Sequence, residues 1–408
     1  MRSVEEHLET VLAGVDPLEH EDVALLDALG QTLAVDVVAP WPLPPFDNSS
    51  MDGYAVRAED VAWAAADAPV RLPVVADLAA GTREDLVLGP GVAARIMTGA
   101  PIPPGADCVV PVERTDGGTE VVTITEGVDA GAFVRRAGDD VPEGTVVGRA
   151  GEVVTERSIA VLASVGRGRL SVVRRPHVVV ISTGDELVEP GAPMVRGQIA
   201  DSNGVMLTAL ARAAGASAWK APRVHDDDGE LRAVLDAALR NADVVVTSGG
   251  VSMGAYDTVK SLLSASGEVD FVKVAQHPGM PQGAGHLGPN RVPIVTLPGN
   301  PVSSFISFEL YVRPLIRRLM GKPDLLRTED RATCTVAFDS PTGKRQFVRA
   351  VLDVHEDGSR TVRPVGGQGS HVVGGLAMAD ALVVVPPEVG RVEAGDQVTV
   401  LDLLRSQP

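Results

Sequence analysis

The chain has 408 residues, enough for two to four domains. Hydrophobic residues make up 45%, which excludes global disorder, and aromatics only 3%, so the cores must be built from Val, Leu, Ile and Ala. Lys and Arg number 36 against 54 Asp and Glu, a net charge of −18, which excludes a general nucleic-acid or anionic-membrane binder because either needs a basic face.

The acidic start, Met1-Arg2-Ser3-Val4-Glu5-Glu6, lacks the basic-then-apolar pattern of a signal peptide. No apolar run approaches the roughly 20 residues that span a bilayer. Cys108 and Cys334 are too far apart in sequence for a CxxC pair, and two thiols make no disulfide framework. The expectation is a soluble, reduced, cytoplasmic protein. Ser3 with Glu6 is a capping-box pattern, and Val4, Leu8, Val11, Leu12 and Val15 follow with helical spacing. A second helix is predicted over 23–29, ending at Gly30. The stiff Pro40-Trp41-Pro42-Leu43-Pro44-Pro45 then reads as a domain entrance. Short β-like runs broken by Gly and Pro fill 46–134. The next stretch has turns at Gly138 and Gly144 and a helix over 158–165, and it returns to the N-terminal helices.

After Pro176 the pattern changes. Apolar runs over 178–182, 244–247, 271–274 and 294–297 alternate with helical patterns over 203–215, 228–239, 259–263 and 303–320. Strands buried on both faces and alternating with helices predict a doubly wound parallel sheet. Asn203 and Asp228 stand at the expected helix caps. From 330 to 405 only strand-like runs and turns remain, with a hairpin turn at Glu356-Asp357-Gly358-Ser359. The expectation is an α/β multidomain chain. An N-terminal helical and linker domain is made of 1–40 and 135–172, a β-rich domain of 41–134, the doubly wound domain of 173–322 and a β-barrel-like C-terminal domain of 323–408.

Three of the apolar strands end in polar turns that carry glycine. These are Ser182-Thr183-Gly184-Asp185-Glu186, Ser248-Gly249-Gly250-Val251-Ser252-Met253-Gly254, and Pro298-Gly299-Asn300-Pro301. In a doubly wound sheet such turns lie at the carboxyl edge, where ligands bind. Successive N–H groups there hold phosphate oxygens. One such turn alone is usually only a turn; three at one edge point to a site. None is GxxxxGK[ST] or GxGxxG, which disfavours a P-loop NTPase or a Rossmann dehydrogenase. Glu186, Asp226, Asp227 and Asp257 lie beside these turns and supply hard oxygen ligands of the kind Mg²⁺ takes beside phosphate. Helix capping is the plainer alternative for Asp226, Asp227 and Asp257 taken singly. The polar stretch from Phe46 to Ala55, the turn from Arg95 to Pro101, and Lys344, Arg345 and Arg349 near Gln368-Gly369-Ser370-His371 complete the candidates. The last group fits an oxyanion pocket or a solvated face equally.

Taken in order, these motifs resemble the molybdopterin molybdenumtransferase family (MoeA, and the E domain of gephyrin). The matching stretches are Phe46 to Ser49 with Met51-Asp52-Gly53-Tyr54, Arg95 to Pro101, Ser182 to Leu187, Asp201-Ser202-Asn203, Ser248 to Gly254 with Asp257, Leu297 to Ser303, and Gln368 to His371. The resemblance implies an enzyme that inserts molybdenum from molybdate into adenylylated molybdopterin and releases AMP. It implies Mg²⁺ or a similar divalent ion and an elongated homodimer of four-domain subunits. Functional positions then fall on Asp52, Thr98, Asp140, Glu186, Asp226 and Asp257, with Glu186, Asp226 and Asp257 as metal ligands. Substrate binding falls to Ser182, Thr183, Gly184, Asn203, Ser248, Gly249, Gly250, Ser252, Lys273, Pro298, Gly299 and Asn300, and molybdate to Arg349 and Ser370. In the implied dimer, Asp52 and Thr98 come from one subunit and the α/β site from the other. The upstream molybdopterin adenylyltransferase, whose fold the α/β domain shares, is the implied donor of substrate. One departure stands out: many members read Lys-Pro-Gly-Lys-Pro where this chain has His277-Pro278-Gly279-Met280-Pro281. Two positive charges are lost, which implies weaker or more pH-dependent anion binding. The rival readings are a molybdopterin adenylyltransferase and a catalytically altered paralogue acting as a scaffold.

Overall fold

The computed structural model describes residues 1–83, 85–225, 227–251 and 258–404. The chain divides into two compact units. One is Asp36–Ala150 with Glu156–Arg169; the other is Met1–Val35, Gly151–Thr155 and Leu170–Pro408.

The first unit is built on a five-stranded sheet in the order Cys108–Pro111, Gly53–Val56, Ala93–Ile96, Val70–Leu78, Val121–Ile124. Alternate residues of its strands enter two cores. Tyr54, Val56, Cys108 and Val110 pack on one side, and Ala55, Ala94, Ile96 and Val109 on the other. The strand Gly53–Val56 was legible only as a polar loop, because Asp52 and Gly53 lead straight into it.

The second unit opens with the helix Val4–Leu12, and both arms of its capping box are formed: Glu6 N–H donates to Ser3 Oγ and Ser3 N–H to Glu6 Oε2. The predicted helix over 23–29 is absent. His20–Ala24 is instead a strand, paired with Arg169–Val173, and turns run from there to Gly30. Long-range pairing overrides the helical spacing of a segment too short to hold a helix alone.

The α/β domain follows. Its strands are β1 (His177–Ser182), β2 (Ser217–Lys220), β3 (Val244–Ser248), β4 (Val269–Lys273), β5 (Pro281–Leu287) and β6 (Val292–Leu297), in the order β2-β1-β3-β6-β5-β4. Neighbours among β2, β1, β3 and β6 are parallel, whereas β5 runs antiparallel to both β6 and β4. The sheet is thus doubly wound and parallel with an antiparallel addition at one edge. Its helices are α1 (Ser202–Ala213), α2 (Asp228–Ala238), α3 (Thr258–Ser266) and α4, which runs over 301–319 through a wider π-type stretch at Phe308–Val312. Even and odd strand residues face opposite layers. Val178, Val180, Val244 and Val246 pack with α1, α4 and the N-terminal helix, while Val179, Ile181 and Val245 pack with α2 and α3.

The C-terminal strands are β7 (Glu329–Cys334), β8 (Arg345–Val354), β9 (Arg360–Pro364), β10 (Ala381–Val385) and β11 (Gln397–Asp402). They pair in the order β8-β9-β7-β11-β10, and β10 pairs back to β8, closing a five-stranded barrel. Closure leaves these five strands with no free edge. Among the described residues, no helix is long and apolar enough to cross a membrane.

Candidate functional site

The strand register sets the site. Ser182 of β1 lies opposite Ser248 of β3, and Ser248 opposite Leu297 of β6. The three glycine-bearing turns therefore leave the sheet side by side at its carboxyl edge. Between them lies a cleft of about 640 Å³, lined by Ser182, Thr183, Glu186, Asp201, Asn203, Ser248, Gly249, Gly299 and Asn300, and by His371 and Val373 from the barrel domain.

Local chemistry holds this floor in place. Gly249 has φ +94°, and a Cβ there would come within 2.9 Å of Thr183 O, so only glycine lets the second turn pack against the first. Asp201, 1% exposed, is the N-cap of α1. Its Oδ1 accepts from Gly204 N–H at 2.8 Å and Ser182 Oγ at 3.1 Å. Its Oδ2 lies 3.3 Å from Lys220 Nζ, which also pairs with Glu189. Burial alone would lower the Lys220 pKa, but Glu189 and Asp201 outweigh it and the value is raised. Gly204 is small by necessity, since a Cβ would meet Asp201 Oδ2 at 2.5 Å and Ser182 Oγ at 2.6 Å.

The sequence placed the α1 cap on Asn203; the cap is Asp201. Likewise Asp227, not Asp228, caps α2. Freed from capping, Asn203 spans the cleft: its Nδ2 donates to Ser248 Oγ at 2.9 Å and to Gly299 O at 2.7 Å. Its buried Oδ1 has no hydrogen-bond partner among the described residues. Asp201 was present in the motif but not singled out as a site residue, although a buried acid three residues before Gly204 carries the capping signal. Replacing Asp201 with alanine is expected to cost about 1–3 kcal/mol, because Ser182, Gly204 N–H and Lys220 all lose their shared acceptor. Thermal melts of Asp201→Ala and Asp201→Asn will show it, with the asparagine variant the milder of the two.

The third turn reaches the barrel. Asn300 Nδ2 donates to Ser370 Oγ at 3.0 Å, and Val302 N–H to Ser370 O at 3.1 Å. Arg349, 2% exposed, sits beneath this loop. Its guanidinium donates to Gly367 O at 2.6 Å, to Gly369 O at 3.3 Å and to Val372 O, and burial lowers its pKa. It shapes the Ser370–His371 loop. Lys273 is exposed at the end of β4 and, like Arg349, is not on the cleft wall. His277 is half-buried; burial first and then Lys344 hold its pKa below the ordinary imidazole value. It is therefore mainly neutral at pH 7 and does not replace a lysine's charge there.

Glu186 is exposed on the cleft wall. Asp226, Ser252 and Asp257 lie outside the described residues. Among the described residues there is no group of three or more His, Cys, Asp and Glu side chains placed to hold a metal. The cleft's donor set suits an ion shared with a substrate phosphate, which needs only one or two protein carboxylates, and not an ion caged by protein alone.

The other unit holds the remaining predicted residues. Asp52 Oδ1 accepts from Thr98 N–H at 2.7 Å and from Thr98 Oγ1 at 2.8 Å. These two bonds, the backbone one first, hold the Asp52 carboxyl below its usual pKa, so it stays ionised. Main-chain bonds knit the segments together: Gly99 N–H to Ser49 O, Ser49 N–H to Ala100 O, and Ser50 N–H to Phe133 O. Asp140 sits on a separate turn, its N–H donating to Leu43 O at 3.0 Å. Arg136 pairs with Asp47 at 2.6 Å.

Comparison with known proteins agrees with this geometry. Residues 179–318 match a family described as a probable molybdopterin binding domain. They are flanked by matches to the MoeA N-terminal region (domain I and II) over 2–166 and the MoeA C-terminal region (domain IV) over 331–403. The class is thus that of multidomain proteins built around an α/β domain of the molybdopterin-binding type. The chain is 47% identical over 409 residues to molybdopterin molybdenumtransferase 2 of Mycobacterium tuberculosis, covering 99% of this chain and 100% of that one. It is 36% identical over 396 residues to molybdopterin molybdenumtransferase of Bacillus subtilis, covering 95% and 91%. The crystal structure of a molybdopterin biosynthesis MoeA protein from Pyrococcus horikosii superposes with a TM-score of 0.84 at 33% identity, covering 99% of each chain. The chain belongs to the molybdopterin molybdenumtransferase (MoeA) family.

Proposed function

We propose that this protein inserts molybdenum from molybdate into adenylylated molybdopterin and releases AMP, as a step of molybdenum cofactor biosynthesis. The observation that carries the reading is the cleft: three glycine-bearing turns converge at one sheet edge in a chain whose relatives, over nearly their whole length, are molybdopterin molybdenumtransferases.

Both substrates are anions, and the protein carries net charge −18, so local donors must receive them. The backbone N–H groups of the turns and the hydroxyls of Thr183 and Ser248 receive phosphate oxygens. Asn203 offers its unpartnered Oδ1 to a hydrogen-bond donor on the substrate. Water attacks at phosphorus, the phosphoanhydride P–O bond breaks, and AMP departs while molybdopterin keeps its own phosphate; the two dithiolene sulfurs replace two oxygens on molybdenum, which leave as water with the thiol protons and two protons from solvent. The protein's main contribution is to hold these groups together. A Mg²⁺ ion shared by Glu186 and substrate phosphates would supply charge neutralisation at the anhydride.

Further elements of the reading are a cytoplasmic homodimer, Asp52 and Thr98 serving the partner subunit's cleft, molybdate near Ser370, and an upstream adenylyltransferase that supplies the substrate. Incubation of the purified protein with adenylylated molybdopterin, molybdate and Mg²⁺ is expected to release AMP and yield molybdenum-loaded cofactor. AMP release from adenylylated molybdopterin that is indifferent to molybdate would sink the reading, as would nucleotide transfer from ATP to molybdopterin at a comparable rate.

A further inference from the structure

The cleft at the carboxyl edge is poor in positive charge for a place that takes anions. Its described lining carries two carboxylates, Glu186 and Asp201, and one imidazole, His371, but no lysine or arginine. Ser252–Asp257, which lie outside the described residues, contain no lysine or arginine in sequence either. A bare carboxylate on such a wall repels a phosphate group. Asp201 is the stronger of the two in this respect, because at 1% exposure water does little to screen it, whereas Glu186 is exposed.

Asp201 is compensated from behind the wall. Lys220 ends β2, two residues beyond Ala218, which packs with α1, so the lysine rises on the same face of the sheet. It passes the first turn of α1 at Gly204, where its Cδ lies 2.7 Å from the position a Cβ would take. Its Nζ stops 3.3 Å from Asp201 Oδ2 and also pairs with Glu189. Glu189 is 55% exposed and is screened by solvent already; Asp201 has no such help. Burial works against the charge on Lys220, but the two carboxylates outweigh it, and the lysine stays a cation. Lys220 is not itself on the cleft wall.

We propose that Lys220 is a positioning residue for the anionic substrate: through Asp201 it sets the charge of the cleft floor, and so how tightly the floor takes a phosphate group. The inference rests on the reading that the cleft receives adenylylated molybdopterin. A plain strut between β2 and α1 would have the same geometry but would answer substitution differently. Removing either end of a strut loosens the floor and weakens the ligand. Removing one end or the other of a charge pair moves the affinity in opposite directions.

AMP binding to the intact protein is to be measured by calorimetry at fixed Mg²⁺ and ionic strength. Lys220→Gln leaves Asp201 bare and is expected to weaken AMP about tenfold. Asp201→Asn keeps the lysine and removes the carboxylate, and is expected to tighten AMP about threefold. The double variant is expected to return to within about twofold of wild type. In steady state, Lys220→Gln is expected to raise KM for adenylylated molybdopterin about tenfold with kcat within about twofold of wild type. AMP binding is read apart from turnover, so failure of the proposed reaction and failure of this assignment are told apart. Should Lys220→Gln fail to fold, Asp201→Asn set against the double variant isolates the same lysine charge, with AMP expected to bind more weakly to the double variant. Shifts of the same direction in the two single variants, affinities within twofold of wild type in both, or no AMP binding by the wild type overturn the assignment.

Discussion

Glu309→Ala is expected to remove about 3–5 kcal/mol of stability. Its side chain is 3% exposed and faces Arg327 and Arg313, themselves 14% and 7% exposed. Truncation takes the carboxylate away from two buried guanidiniums that face it. The exposed pair Arg391–Asp339 offers the contrast: at 51% and 83% exposure, Asp339→Asn should cost less than about 1 kcal/mol. Urea melts of both variants beside Glu309→Gln check the ranking. Loss of less than about 1 kcal/mol in Glu309→Ala would mean that the arginines relax into solvent or onto carbonyls.

Glu186→Gln is expected to lower AMP release about 100-fold while the fold stays within about 0.5 kcal/mol of wild type. The side chain is exposed, and the hydrogen bond that Glu186 makes to Ile199 N–H uses its main-chain oxygen, which the substitution keeps. Shape and stability are therefore preserved and only charge is removed. If Glu186 shares a divalent ion with substrate, the variant needs more Mg²⁺ for half-maximal rate, and added Mg²⁺ partly restores activity. AMP release within twofold of wild type would show that the carboxylate holds no ion that the reaction needs.

Much of the α/β domain was legible because its central strands are short, wholly apolar runs, a pattern that only a sheet covered on both faces allows. The three turns were legible for the same reason: in each, a glycine stands within two residues of the end of such a run. By contrast β5, Pro-Gln-Gly-Ala-Gly-His-Leu, carries two glycines and no apolar pattern, and its place comes from pairing with β4 and β6. The strand His20–Ala24 was hidden because its partner lies far along the chain. Capping assignments slipped because Asp201 and Asn203 are both good caps by type, and only the fold shows which one turns toward Ser248.

The inserted arrangement of the two units has a bearing on how the molecule is made. The polypeptide leaves the outer unit at Asp36 and rejoins it for good only at Leu170. A nascent chain thus finishes the inner unit while the strand His20–Ala24 still lacks its mate. The opening helix waits longer still, since Val4 and Val11 share a core with Leu315 and Ile316. The helix Val4–Leu12 is made some three hundred residues before the helix that covers it, so its apolar stripe is the stretch a holding chaperone is expected to clasp during translation.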